Sequence, residues 1–228
     1  MLGKWIYLGQ RNPRLSREQF VERWLNHRRI GVMPEMAAEF VGATYCAVRE
    51  SKPGLEMLSD EYDGLGLFPL NGLYSIPLIA KTLKQDYIQA DEQRFFNRHS
   101  EEFSLFGAEN MLRKGPEGKA LAVLFLRRRA GISPRDFAQQ WQDAEVTFSG
   151  NANIAQGLCR YIHNTVVAPP PPGFGYDGVA ELWFDSVENL EKALVDINRI
   201  MADLPFIDPP NSFFIHGDIV MNRPRGDS

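Results

Sequence analysis

The chain has 228 residues and a formal net charge of −4; 44% of its residues are hydrophobic and 24% are charged. These values are typical of a globular protein with a full core, and the acidic balance argues against a nucleic-acid-binding surface. Two cysteines, Cys46 and Cys159, are too few for a disulfide framework or a four-thiolate zinc site. No signal peptide and no membrane-spanning apolar run is recognisable. We therefore expect a soluble cytoplasmic protein without nucleic-acid or membrane partners.

The first half of the chain opens with an apolar run at Trp5–Leu8, which predicts a strand. Ser16 then precedes charged, helix-favouring sequence and predicts a helix N-cap. In this helix Phe20, Trp24 and His27 follow at the spacing of one face, so we expect the imidazole to point inward with the two rings. Two more strands are predicted, at Thr44–Arg49 and after the Tyr62-Asp63-Gly64 triplet, where Pro69 and Gly72 interrupt the run.

The second half has the same order of elements. Ser133 and Ser186 predict helix N-caps, and Pro134 falls at the first helical position. The polar stretch Arg113–Lys119 reads as a linker, and we interpret the proline run Ala168–Gly173 as a stiff surface spacer. Strands are predicted at Ala122–Leu126, Arg160–Val167, Val179–Phe184 and Ser212–Val220.

Four matched segments show that the second half of the chain repeats the first. Leu15-Ser16, Phe20 and Trp24 recur 117 positions later as Ile132-Ser133, Phe137 and Trp141. Three more pairs follow in order: Tyr45 with Tyr161, Tyr62-Asp63-Gly64 with Tyr176-Asp177-Gly178, and Gly107-Ala108-Glu109 with His216-Gly217-Asp218. The period exceeds that of solenoid repeats, so we predict duplication of a β-α-β-β-α-β module, residues 1–112 and 120–228. Pairing of the two sheets would enclose an apolar cavity between them.

The stretch RNPRLSREQFVERWLNHRRIG is similar to the opening of EthD-type proteins of the dimeric α+β barrel superfamily. The residues that carry the resemblance are Leu15, Ser16, Phe20, Trp24 and His27, with their second-half counterparts and the later YDGVAELWF strand. The resemblance spans nearly the whole chain as two copies. It implies an α+β fold of two tandem ferredoxin-like modules that form an intramolecular dimeric α+β barrel. It also implies a cavity enclosed by sheet and helices.

The family resemblance further implies cofactor-free chemistry on small hydrophobic substrates, since relatives include monooxygenases, isomerases and dehydratases. Asp91 and Glu92 resemble the family's acidic-aromatic segment, although the same residues could cap a helix. Ala144 stands in the second copy where the first has His27, so we expect an asymmetric site.

His27 is the leading candidate for acid–base catalysis, because an imidazole exchanges protons near neutral pH. We assign Tyr45 and Asp63 to substrate orientation, although Asp63 could instead serve its turn. The predicted substrate-binding residues are Trp24, Tyr62, His99, Tyr161 and His163. For His99, His163 and His216 a structural role is the more common interpretation. We expect no metal, because the histidines are widely separated and no HExxH or CxxC spacing occurs.

The functional hypothesis is a cofactor-independent lyase, dehydratase or isomerase that acts on a small aromatic or polyketide-like molecule by histidine-assisted proton transfer. Two alternatives are a cofactor-free monooxygenase acting on an electron-rich phenol and a non-catalytic carrier of an apolar ligand. The outer faces of the fused barrel could pair again, so a homodimer is left open.

Overall fold

The computed structural model describes residues 2–27 and 34–224. The end of the EthD-like stretch, residues 28–31, therefore lies outside the described part of the chain. The strands are β1 Gly3–Gly9, β2 Ala43–Val48, β3 Gly64–Leu70, β4 Ser104–Arg113, β5 Ala120–Leu126, β6 Leu158–Val166, β7 Gly178–Phe184 and β8 Phe213–Arg223. The helices are α1 Arg17–His27, α2 Pro34–Ala37, α3 Ile76–Thr82, α4 Asp86–Glu92, α5 Pro134–Asp143, α6 Glu145–Ser149, α7 Ala152–Ala155 and α8 Val187–Asp203.

The eight strands close into one antiparallel barrel in the order β1-β3-β2-β8-β5-β7-β6-β4. Each half contributes four neighbours in the same ferredoxin-like order, β4-β1-β3-β2 and β8-β5-β7-β6. The two half-sheets join along β2–β8 and β4–β6. The predicted fold class, an α+β protein built as an intramolecular dimeric α+β barrel, is confirmed. Among the described residues no helix combines the length and apolarity needed to cross a membrane.

The barrel wall separates three hydrophobic cores, because successive strand side chains point to opposite faces. On β1, Ile6 and Leu8 point into the lumen, where side chains of both halves meet. Trp5 and Tyr7 point outward, into a core that the first half forms with its own helices. The helices of the second half cover a third core in the same way. Each half therefore keeps a sheet–helix layer of its own outside the shared lumen.

One end of the lumen is plugged by aromatic rings. Phe174, which follows the proline run, is 3% exposed and packs with its ring 5.6 Å from that of Phe103. Tyr62 lies edge-on to Phe103, and Phe125 stacks on Phe213 at 4.9 Å. The prolines themselves are outside the sheet and mostly exposed, as expected for a surface spacer. The proline run is thus a solvent-facing connection, and the buried Phe174 anchors its C-terminal end.

The strand register corrects two of the matched pairs. Gly9 lies opposite Gly64 and Leu126 opposite Gly178, so these strands of the two halves correspond as predicted. In the matching ladders, however, Tyr45 lies opposite Gly66 and His163 opposite Ala180. The counterpart of Tyr45 is therefore His163 and not Tyr161. Residues two apart point to the same face of a strand, so a two-residue shift leaves a tyrosine on the expected face. The β6–β7 ladder also has a register shift between Leu158 and Arg160. Similarity between the two tyrosines therefore could not reveal the shift.

The strand register also shifts the last matched pair of segments by one residue. Gly107 lies opposite Lys4, and Gly217 lies opposite Leu121, which is the counterpart of Lys4. Gly107 therefore corresponds to Gly217 rather than to His216. The strand that Pro69 was predicted to interrupt continues to Leu70. Its ladder with β2 ends at Leu67, but Pro69 still accepts a hydrogen bond from the Val41 N–H at 3.0 Å, and it stays opposite Lys4 of β1.

Candidate functional site

A small cavity of about 40 Å³ lies between the sheet of the first half and its helices. Leu83 and Ile88 border the cavity and flank the break between α3 and α4. Three polar side chains, His27, Glu92 and Ser100, reach it from the helix side. Six aromatic side chains line the rest of it: Trp5, Tyr7, Phe40, Tyr45, Phe68 and Phe96.

Glycines on the outward face of the sheet make room for these rings. A Cβ atom on Gly66 would lie 2.3 Å from the ring of Tyr7, and one on Gly9 would lie 2.2 Å from the ring of Phe96. Both distances are far shorter than carbon–carbon contact allows. The Gly64-Leu65-Gly66 segment therefore serves aromatic packing in a strand, in keeping with its poor match to a dinucleotide loop.

His27 is the last residue of α1 and forms a close pair with Asp91 of α4. Its Nδ1 contacts Asp91 Oδ2, and its ring lies 4.8 Å from that of Phe95. The imidazole is 17% exposed and the carboxylate 12%. Because a carboxylate accepts hydrogen bonds, the pair places the proton of a neutral imidazole on Nδ1 and leaves Nε2 as the accepting nitrogen. This is the arrangement of a positioned general base.

Glu92, the next residue, is 3% exposed and borders the same cavity. Its carboxyl oxygens accept hydrogen bonds from the backbone N–H of Ser100 at 3.1 Å and from the Ser100 hydroxyl. Burial raises the pKa of Glu92, although the hydrogen bonds from Ser100 partly offset this. Asp91 and Glu92 end α4, whose N-cap is Gln85, so neither caps a helix start.

Trp24 fixes the tyrosines of the cavity from behind. Its Nε1 donates to the Tyr7 hydroxyl at 2.8 Å, and its ring meets that of Tyr45 at 4.9 Å. Burial raises the pKa of Tyr7 well above its usual range. Trp24 itself does not border the cavity and contacts Tyr7 and Tyr45 on their far side.

Two predicted site residues lie away from this cavity. Asp63 accepts hydrogen bonds from the backbone N–H of Arg11 at 2.8 Å and from its Nε at 2.9 Å. The second half repeats this clamp with Asp177 and Arg128, at 2.9 and 2.8 Å. Because the contact recurs in the half that lacks a His27 counterpart, it favours the interpretation of Asp63 as a turn anchor. Tyr62 lies in the aromatic plug of the lumen.

The remaining predicted binding residues are divided between the halves. His99 is at the margin of the first-half site, with Nδ1 3.4 Å from Glu92 Oε2. His163 is buried in the second half, stacked on Trp141 at 3.9 Å, and its Nε2 lies 2.8 Å from the Tyr161 hydroxyl. Burial lowers the pKa of His163 to about 3. Tyr161 and His163 therefore belong to a separate, packed core.

The structure also changes where the histidine lies relative to the barrel. The repeat predicts an apolar cavity between the paired sheets, and the helical spacing predicts that His27 points inward, which together would place His27 at that cavity. The helices cover the outside of the barrel, so His27 lies on the outer face of the first half-sheet and not in the lumen. The sheet–helix cavity implied by the family resemblance is the arrangement that is present.

Sequence reasoning missed Tyr7 and gave Glu92 only a secondary place. The sequence held a usable signal for Tyr7: it stands two residues after Trp5 and so lies on the same face of β1. For Glu92, no local pattern predicts that α4 folds back onto α1. Within residues 2–27 and 34–224, no three His, Cys, Asp or Glu side chains are grouped so as to hold a metal ion.

Solved structures with the same fold align with nearly the whole chain. An anthrone oxidase-like protein aligns at a TM-score of 0.59 and 11% identity, covering 99% of this chain and 94% of its own. A candidate monooxygenase from Fusobacterium nucleatum aligns at 0.55 and 10% identity, covering 100% and 95%. A haem-binding protein from Thermus thermophilus aligns at 0.52 and 11%, covering 96% and 91%. No protein-family model and no curated protein matches the sequence. These likenesses establish the fold.

Three of the four histidines lack the surroundings that a haem needs. The Nε2 of His163 is held by Tyr161 and its ring is covered by Trp141. His27 borders a cavity of about 40 Å³, which is far smaller than a haem. His216 is 2% exposed, and its Nε2 lies 3.6 Å from Glu191. None of these imidazoles offers both a ligating nitrogen and room for the macrocycle.

Proposed function

We propose that this protein is an EthD-type, cofactor-independent enzyme that moves a proton on a small aromatic or polyketide-like molecule. The observation that carries the proposal is the His27–Asp91 pair at the edge of a cavity walled by aromatic rings. An oriented imidazole beside an apolar pocket is the arrangement that general-base catalysis requires.

The chemistry follows from the two ends of the site. Nε2 of His27 takes a proton from a substrate hydroxyl or an acidic carbon, and Asp91 stabilises the imidazolium that forms. In a dehydration, the departing hydroxyl takes a proton from the Glu92 carboxyl and leaves as water. Its raised pKa increases the fraction of Glu92 that holds this proton. The aromatic walls exclude water and so strengthen each polar contact.

Size restricts the substrate. A cavity of about 40 Å³ is well below the roughly 150 Å³ of an apolar cavity known to hold benzene. An aromatic ring therefore enters only if side chains on the helix side shift. Met36 and Leu83 border the cavity on that side, and methionine adapts its shape readily. We accordingly expect compact aromatic substrates, with the number of rings set by how far the helix side opens.

A second candidate function is cofactor-free oxygenation of an electron-rich phenol or anthrone. The likeness to an anthrone oxidase-like protein and a candidate monooxygenase favours it. The same base would deprotonate the phenol, and dioxygen, which is small and apolar, suits a cavity of this size. Oxygen uptake during turnover separates this reaction from a lyase or isomerase.

The proposal is tested with anthrone, simple phenols and linear polyketide-like compounds, with products followed by mass spectrometry and oxygen by electrode. On a converted compound, His27→Ala should lower kcat by about 10²–10⁴-fold while circular dichroism and Tm stay unchanged. The matched control is His163→Phe, which removes the buried histidine of the other half and should keep kcat within a few-fold.

Two results would contradict the proposal. One is unchanged turnover in His27→Ala, which removes the assigned base. The other is tight binding of these compounds without conversion of any, which would establish the non-catalytic carrier instead.

A further inference from the structure

The cavity beside His27, called the inner cavity below, has a larger neighbour on the same face of the first half-sheet. This outer cleft has a volume of about 340 Å³, which lies within the roughly 300–1,000 Å³ of small-molecule sites. Its floor is Phe106 of β4, which lies opposite Trp5, a residue that lines the inner cavity. One wall is the end of α3, and the other is the proline run of the second half, Pro169–Pro172.

Leu83 separates the inner cavity from the outer cleft. Of the residues that the structure describes, only Leu83 borders both spaces. It is 4% exposed and directly follows α3, at the break before α4. Beside it the two spaces are divided by hydrogen bonds, since Trp5 Nε1 donates to Ser104 Oγ at 2.9 Å and Ser104 Oγ donates to the Ser100 carbonyl at 2.8 Å. A leucine side chain changes rotamer without breaking a hydrogen bond, so Leu83 is the part of the partition that opens most easily.

The proline run keeps the outer cleft from closing. The β6–β7 connection, which contains this run, reaches the first half, where the Val167 N–H donates to the Phe106 carbonyl at 2.9 Å. The matching β2–β3 connection reaches α8 of the second half, and its Met57 and Leu58 are buried in the core there. Proline has a fixed φ and no N–H donor, so the run stays stiff. One connection thus fills its layer with side chains, whereas the other leaves the cleft open.

The lining of the outer cleft favours a neutral, mostly apolar group. Phe106 and the proline rings supply apolar surface, and Lys84, Glu101 and Glu102 border the same space. Glu102 is paired with Arg98 at 2.6 Å. A charged group would meet a like charge at either Lys84 or Glu101, whereas a hydroxyl can bond to both. Glu101 Oε2 is buried without a hydrogen-bond partner among the described residues, and such a hydroxyl would satisfy it.

We propose that the outer cleft is the outer part of the substrate site and that Leu83 is the gate between its two parts. The inference rests on the proposed function, which places the reacting ring beside His27. While Leu83 is closed, the inner cavity of about 40 Å³ is too small for that ring, given the roughly 150 Å³ of a cavity known to hold benzene. Once Leu83 changes rotamer, the two spaces join. The substrate class is therefore an elongated phenol, with its second ring or chain against Phe106 and the prolines.

Stopped-flow tryptophan fluorescence with 4-phenylphenol tests the gate, because Trp5 lines the inner cavity and reports arrival of the probe. Leu83→Ala should raise the association rate constant at least about tenfold, since the probe no longer waits for a rotamer change. Ile88→Ala is the matched control. Ile88 is 3% exposed and borders the inner cavity but not the outer cleft, so this variant enlarges the cavity without opening it and should leave the rate within a few-fold.

A filled cleft gives a second test that leaves the core intact. Lys84→Trp places a large ring at the exposed edge of the outer cleft. In isothermal titration calorimetry it should lower the affinity for 4-phenylphenol about tenfold and leave that for phenol unchanged, since phenol needs only the inner cavity. Lys81→Trp is the matched control, because Lys81 is an exposed lysine of α3 that borders neither space. It should change neither affinity.

The gate would be overturned if Leu83→Ala and Ile88→Ala accelerated binding equally, if neither did so, or if folded Leu83→Ala bound no 4-phenylphenol. The outer cleft would be overturned if Lys84→Trp weakened both probes equally or neither. His27→Ala should leave 4-phenylphenol binding within a few-fold of the wild type. Unchanged turnover in His27→Ala therefore removes the assigned base without altering these binding results, so the two proposals fail separately.

Discussion

The two sheet–helix layers of this chain share one sequence pattern but differ in the residues that fill their centres. In the first half Trp24 packs on Tyr45 and bonds to Tyr7 beside a cavity. In the second half Trp141 packs on His163, the counterpart of Tyr45. Tyr7 is replaced by Leu124 there, and the Trp141 Nε1 has no hydrogen-bond partner among the described residues. The proposed function assigns chemistry to the first layer and support to the second.

The covering helices explain much of this difference. The second half has a continuous α8 of 17 residues, and its apolar face completes a packed core. The first half has α3 and α4, of seven residues each, with a break between them. That break turns α4 so that Asp91 reaches His27 and Glu92 reaches the cavity. The asymmetry between the two layers thus follows the difference in helix continuity.

The largest expected stability effect concerns the lumen, where the Lys4 ammonium lies 2.8 Å from Glu109 and 2.5 Å from Glu181. Lys4→Leu copies the counterpart Leu121 but removes the ammonium that Glu181 pairs with. It should destabilise the protein by about 3–5 kcal/mol, because a fully buried carboxylate that loses its ammonium is costly. The double variant Lys4→Leu, Glu181→Leu should recover most of the loss. Urea unfolding measures both, and a harmless single variant would show that the cluster is not coupled.

The next effect depends on pH and on the packed half. The pKa of His163 is lowered from 6.5 to about 3 by burial, so the unfolded chain binds a proton more readily than the folded one. The contribution of His163 to stability is complete above pH 6.5 and is lost as pH falls toward 3. At pH 4 the loss should be about 3 kcal/mol.

His163→Phe removes this titration, so its free energy of unfolding should fall less between pH 7 and pH 4 than that of the wild type. His216 remains as a smaller source of the same trend, since burial lowers its pKa to about 4. Chemical denaturation at a series of pH values gives the slopes directly. Parallel curves for variant and wild type would show that His163 titrates normally.

Tyr7→Phe sharpens the contrast between the two tryptophans. It removes the acceptor of Trp24 Nε1 and makes that indole as unpartnered as Trp141. A buried donor left without its acceptor costs about 1–3 kcal/mol, so Tm should fall measurably. The matched variant Leu124→Met changes a buried side chain of the second half without touching a hydrogen bond and should cost less.

The internal repeat and the family resemblance predicted the barrel, and helical spacing predicted the inward face of α1. Phe20, Trp24 and His27 follow at helical spacing, and the structure places the two rings in the core and His27 at its cavity. Lys4 was missed because a lysine in a strand is normally exposed. Its alternation with Ile6 and Leu8 was the available signal. Glu92 depends on a helix break whose consequence is tertiary, so no local pattern could reveal it.

The smallest expected effect decides between the two roles considered for Asp63. Asp63→Asn and Asp177→Asn weaken the same clamp, with Arg11 in one half and Arg128 in the other. If Asp63 anchors its turn, each variant should cost a similar amount, on the order of 1 kcal/mol, because both pairs are partly exposed. Turnover should then be equal in the two variants. A loss of kcat confined to Asp63→Asn would restore a catalytic role and require the turn to approach His27 during the reaction.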